Sequence, residues 1–222
     1  IGFGQGNYRD TLMEQLANNG DGNNFYVDTQ AESDRIFSEK IGATMITVAR
    51  DTKVQIEFNE RAVKSYRLIG YENRDIADED FRNDRVDAGE VGSGHSVTAL
   101  YEVKLARQFD DELATVRLRW EQPGQDGEAT EKAFSFDSGR INRSVRDASP
   151  AIRLAYGAAT FAEVLRQSPH ASTVDLLVLQ DMVGAVANDR EGEELARLIG
   201  MADRLGAASP SLSWPSRHLS LI

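Results

Sequence analysis

The sequence predicts an α+β protein, and three observations carry that prediction. Residues 1–43 read as strand, helix, strand, helix; residues 44–145 hold five alternating segments whose connections, the acidic link 72–96 excepted, are too short for helices; and three amphipathic helices follow Ser149. The expected parts are the closing portion of a doubly wound α/β domain (1–43, βαβα), an antiparallel β-sandwich with a long acidic loop at 72–96 (44–145), a small helical subdomain (146–208) and a tail (209–222).

In the first part, Ile1 to Gly4 is a short apolar run, and Asp10 to Asn19 is a helical segment with Gly20 beyond its end. Asn24 to Asp28 reads as a second strand, and Thr29 and Glu32 have capping-box spacing ahead of a helix to about Ile41. Strand, helix, strand implies parallel pairing with a right-handed crossover. A chain that opens inside such a strand is expected to be a C-terminal fragment of a longer protein, its strand edge near Ile1 a candidate for self-association. Gly2, Gly4 and Gly6 sit where a dinucleotide loop would, but Asn7 breaks the glycine spacing, so a structural turn is the reading.

In the second part, Val54, Ile56 and Phe58 alternate with Lys53, Gln55 and Glu57, predicting a strand with its apolar positions inward and its polar positions wet. Further strands are expected at Tyr66–Tyr71, Val97–Leu105, Thr115–Trp120 and Lys132–Phe136, with Pro123-Gly124 and Asp126-Gly127 turning between the last two. The connection 72–96 is long enough to need a reason. It holds eight acidic residues, Glu72, Asp75, Asp78, Glu79, Asp80, Asp84, Asp87 and Glu90. Clustered carboxylates suit a hard cation, which makes Asp78, Asp80, Asp84, Asp87 and Glu90 weak calcium candidates. An EF-hand starting at Asp78 fails, with Arg82 at a ligand position and Asn83 where glycine is required. The preferred reading is a solvated loop paired internally through Arg74, Arg82 and Arg85, with no metal residue assigned.

Gly92-Ser93-Gly94-His95-Ser96 precedes a strand, whereas a serine nucleophile elbow follows one, so His95 is expected to orient the loop by a backbone hydrogen bond. His95, His170 and His218 lie in separate regions without ligand spacing. No catalytic or cofactor-binding residue is assigned.

The third part begins with Ser149 as cap and Pro150 at the first helical position, giving a helix to about Gln167. Ser172 and Asp175 have capping-box spacing ahead of a helix from Val174 to about Asn188, and Glu191 to Leu205 forms a third, with acids early and Arg204 late. The tail has loop composition with apolar anchors at Trp214, Leu219, Leu221 and Ile222, and Trp214 is expected to dock on its own chain or a neighbour.

With 222 residues and 41 % hydrophobic content the chain can bury a core, while a net charge of −11 and a pI near 4.8 argue against nucleic acid and anionic membrane surfaces as partners. No apolar run is long enough to insert in a membrane. The absence of cysteine excludes thiolate chemistry and disulfides.

The run GNYRDTLMEQLA followed by GNNFYVDT resembles the last two strand–helix units of a bacterial von Willebrand factor type A (VWA) domain. DAGEVGSGHSVTALYEV resembles the module that follows that domain in a family of bacterial proteins. The resemblance implies a divalent metal site in the intact VWA domain, but its Asp-x-Ser-x-Ser loop belongs to strands earlier than Ile1, so no cofactor is expected in this chain. It further implies a non-enzymatic protein-interaction or scaffolding module with a protein partner, in the bacterial cell envelope, periplasmic or surface, and lipid-anchored in longer relatives. The alternatives are a hydrolase using loop carboxylates and His95, or a purely structural envelope protein.

Overall fold

The computed structural model describes residues 1–3, 9–18, 20, 24–40, 42, 46–70, 76–86, 88–107, 112–125 and 127–207. Gly4, Gly6, Asn7, Arg74, Asp87 and the tail from 208 onward, with Trp214, His218, Leu219, Leu221 and Ile222, lie outside the described residues. The chain is α+β and divides into two compact units. One comprises Ile1–Arg67, Tyr71–Thr98 and Val103–Arg140; the other comprises Leu68–Gly70, Ala99–Glu102 and the chain from Ile141 onward.

The first unit opens with β1 (Gly2–Phe3), α1 (Asp10–Asn18) and β2 (Tyr26–Val27), and the two short strands pair in parallel with Gly2 opposite Tyr26. Thr29 caps α2 (Gln30–Arg35) by accepting from the Glu32 N–H, which is half of the expected capping box. α2 then widens into a π-turn at Ile36–Lys40, where Ile36 is buried.

The sheet of this unit is longer than the alternation at Val54 to Phe58 announced. β3 runs from Thr47 to Phe58, and with β5 (Gly89–Gly92), β7 (Glu112–Glu121) and β8 (Ala129–Asp137) it forms a four-stranded sheet in the order β5-β3-β7-β8. All three pairings are antiparallel. β5 was hidden from sequence reading because it lies inside the acidic connection and begins and ends with glycine. β4 (Val63–Ile69) and β6 (Leu100–Leu105) form a second, two-stranded sheet.

A bulge sets which side chains share a face. Arg50 lies opposite Glu121 and Lys53 opposite Arg119, so β3 spends one extra residue at Asp51–Thr52. Asp51 takes the left-handed backbone (φ 46°) that aspartate tolerates better than most residues. Beyond the bulge, Lys53, Gln55 and Glu57 share one face with Arg119, Arg117 and Thr115. Val54, Ile56 and Phe58 share the other with Leu118, Val116 and Ala114.

The alternation therefore stands, but its expected burial is corrected. Lys53 is only 2 % exposed and Val54 is 59 % exposed. The supposedly wet face is covered at Lys53 by residues of the acidic connection, as set out below. The apolar core of this unit sits at the far end of the strands, where Ala62, Val63 and Leu113 are buried with Phe58, Val103 and Leu105 against them. Asn59 ties that end together: its side-chain amide donates to Glu112 O at 2.8 Å while its oxygen accepts from Arg61 N.

In the second unit, α3 (Pro150–Leu165), α4 (Leu176–Gly184) and α5 (Arg190–Arg204) enclose a core of Phe161, Val164, Leu176, Leu179, Met182, Val183, Ile199 and Ala202. Ser149 caps α3 as its proline predicts. The expected Ser172 cap is corrected: Ser172 donates to Pro169 O in a preceding 3₁₀ turn, and Asp175 is the residue that caps α4, accepting from Leu177 N and Val178 N. One close crossing depends on glycine, and a second glycine makes room for a flexible side-chain amide. A Cβ on Gly157 of α3 would overlap Val183 Cγ2, and one on Gly200 of α5 would meet the Gln180 amide at 2.6 Å.

Val183 is fully buried and has no room to retreat. Gly157→Ala should therefore destabilise the helical unit by about 1–3 kcal/mol despite alanine's better helix propensity. In a denaturant titration, adding Val183→Ala should cost less in the Gly157→Ala background than in the wild type.

Candidate functional site

The sequence singles out the acidic connection, and its described residues 76–86 lie along the polar face of the four-stranded sheet. A 3₁₀ turn at Asp78–Asp80 leads to Phe81, which is buried and anchors the segment. The hydrogen bonds then run from loop to strand.

Gln55 Nε2 donates to Asp78 Oδ1 at 3.0 Å. Lys53 Nζ donates to Asn83 O at 2.9 Å and to Asp51 Oδ2 at 3.1 Å. Arg82 makes a bidentate pair with Glu131 of β8, at 2.9 and 2.8 Å. Arg119 of β7 donates to Asp84. Arg117 bridges Glu57 at 3.1 Å and approaches Glu131 at 3.9 Å.

This corrects the expected internal pairing of the loop, since Arg82 goes to a strand rather than to a loop carboxylate. The reason is register: β3, β7 and β8 place Lys53, Arg119 and Glu131 in one row, and Arg117 next to it, so the strands supply fixed charges of both signs. Within the loop, Asn83 organises the turn by donating to Asp80 Oδ1 at 2.8 Å and accepting from Arg85 N.

The calcium candidates are thus dispersed. Asp78 serves Gln55, Asp80 serves Asn83, and Asp84 serves Arg119. Glu90, on β5, accepts from Thr47 Oγ1 at 3.1 Å and Arg50 Nε at 3.4 Å. Asp87 lies outside the described residues. Among the described residues no three acidic or histidine side chains converge into a metal-holding group. His95 follows the Ser93-Gly94 turn and its backbone N–H donates to Gly92 O at 3.0 Å. His170 lies in a 3₁₀ turn of the other unit, where its backbone N–H donates to Ser168.

Electrostatically the clamp favours its charged forms. The hydrogen bond from Arg119 lowers the pKa of Asp84, and that from Arg82 lowers Glu131, while Glu131 in turn raises Arg82. Sequence reasoning missed Lys53, Gln55, Arg117, Arg119 and Glu131 as loop-holding residues. The signal available was TVRLRWE, in which arginine alternates with apolar residues and so presents two cations on one strand face.

An α+β protein with an ion-paired loop on an antiparallel sheet is the class this arrangement defines. The chain belongs to the family described as the C-terminal domain of the uncharacterized protein YfbK, which matches residues 43–110 and 104–205. It is 33 % identical over 227 residues to the uncharacterized protein YfbK of Escherichia coli (strain K12), covering 91 % of this chain and 38 % of that relative. The chain therefore spans less than half the length of the curated relative it matches. No solved structure matches it.

Lys53→Met should cost about 2–3 kcal/mol, because it strips Asp51 of its cation while leaving the carboxylate beneath the loop. Asp51 Oδ1 already lacks a partner among the described residues, so the loss would leave neither oxygen satisfied. The denaturation midpoint of the purified variant reads this directly.

Acid should loosen the loop. Asp84 and Glu131 have folded pKa values below their unfolded ones, so their contribution is complete above about pH 5 and drains away as pH falls through the unfolded and then the lowered folded values. Urea midpoints should hold level from pH 7 down to that point and then fall, and Glu131→Gln should flatten part of the fall.

Proposed function

We propose that this chain is a non-enzymatic protein-interaction or scaffolding module, carried behind a VWA domain in a bacterial envelope protein. The observation that carries the reading is the clamp. Asp78, Asp80, Asp84 and Glu90, the described carboxylates that a cation would recruit, are engaged by Gln55, Asn83, Arg119, Thr47 and Arg50, which gives the loop a fixed polar surface. A surface held in shape by fixed pairs suits recognition, since little side-chain entropy is lost when a partner docks.

The net charge of −11 favours a protein partner over nucleic acid. No described helix is long and apolar enough to cross a membrane, in keeping with a module that inserts no helix of its own. The resemblance of residues 1–43 to closing VWA units, and the relative's additional length, support placing the metal-dependent domain upstream. The strand edge at β1 offers a further place for association.

Affinity capture with the full-length protein, with and without divalent metal, tests the reading. Partner recovery should depend on the clamp, falling when Arg82→Ala and Glu131→Ala free the loop in an otherwise folded protein. Recovery of no partner under either condition, or hydrolysis of an ester or phosphoester panel that His95→Ala abolishes, would overturn it.

A further inference from the structure

The four-stranded sheet treats its two edges differently. β5 has four residues, two of them glycine, and its register against β3 shifts twice, so its outward backbone groups form no straight row. These are the devices that blunt an edge. β8 has nine residues and no proline, and it pairs one-to-one with β7 from Ala114 opposite Phe136 to Glu121 opposite Ala129. Among the described residues no strand pairs with its other side.

Lys132 through Asp137 are six consecutive exposed residues, with Phe134 53 % and Phe136 41 % exposed. Two of the three charges on this edge are drawn back over the sheet. Glu131 is held by Arg82, and the Lys132 ammonium lies 5.8 Å from the centre of the Trp120 ring on the neighbouring strand. What remains open is Ala133-Phe134-Ser135-Phe136-Asp137.

We infer that β8 pairs antiparallel with β8 of a second copy of this chain, about a two-fold axis normal to the sheet, giving one continuous sheet across the dimer. Such an axis keeps each face on its own side, so only registers that place a residue opposite one of the same parity are allowed. Centring on Phe134 sets Glu131 against Asp137, acid facing acid. Centring on Ala133 sets Lys132 against Phe134. Centring on Ser135 sets Phe134 against Phe136 twice and Ala133 against Asp137, with no like charges opposed. Aromatic cross-strand pairs are among the more stabilising, so the Ser135 register is the one assigned. A strand whose open stretch complements itself in this way fits its own copy, and that commits the edge to self-pairing.

The chain has no cysteine, which makes the test direct. Sedimentation velocity of the 222-residue chain should show a concentration-dependent dimer, and Phe134→Lys should raise its dissociation constant about tenfold or more. Ser135→Cys should be captured as a covalent dimer by a short thiol–thiol cross-linker far more readily than Glu90→Cys on β5 or Phe3→Cys on β1. If Phe134→Lys fails to fold, the cysteine variants decide the matter. A monomer at the highest concentration overturns the inference, as does a dimer that cross-links through position 90 or 3 in preference to 135. The outcome is independent of the capture experiment above, since a monomer can still bind a partner.

Discussion

A lysine ammonium sealed beneath a loop is the constraint on which the sheet unit turns. Desolvating Lys53 costs several kcal/mol unless acceptors replace its water. Two of them come from opposite sources, the Asp51 carboxylate at the β3 bulge and the Asn83 carbonyl in the loop. Neither works without the other: the bulge turns Asp51 toward the ammonium, and the loop closes the site from above. Phe81, in the same loop, is buried and adds apolar burial to the polar contacts that fix the loop's register.

Around that point the charges fall into an ordered pattern. Arg82 with Glu131 and Arg119 with Asp84 connect the loop to β8 and β7, and Arg117 connects β7 back to Glu57 on β3. Exposed ion pairs are individually weak, about 0–1 kcal/mol each. Their collective effect is geometric, since two of them tie the same short segment to different strands and the third ties β7 to β3 beside it. The loop is thereby held to the sheet, with Asp84 and Glu90 matched to arginines and Asp78 and Asp80 to side-chain amides.

The helical unit is organised differently, by shape rather than charge. Gly157 lets α3 approach Val183, and Gly200 makes room for the Gln180 side chain. Charged groups there act at helix ends: Arg153 donates to the Met182 carbonyl near the end of α4, and Asp189 caps α5 through the Gly192 N–H. One chain thus carries a unit held in register by polar contacts across strands and a unit held by close packing of helices.

Much of this was legible from local signals. The order of elements apart from β5, the parallel pairing of the first two strands, the Thr29 and Ser149 caps and the three helices follow from periodicity, capping chemistry and the strand–helix–strand order, most of which act within a few residues of sequence. The alternation at Lys53–Phe58 was also legible; what it could not reveal is which face would be covered. That depends on a segment more than twenty residues further on folding back over the strand, and on β7 and β8 arriving in a register that sets Arg119 and Glu131 beside Lys53. Sequence alone determined the elements and their polarity, because propensities and caps are local. Only the tertiary structure decided that the polar face is the closed one at Lys53 and that Val54, Phe134 and Phe136 are left open, because burial is a property of what lies above a residue in space.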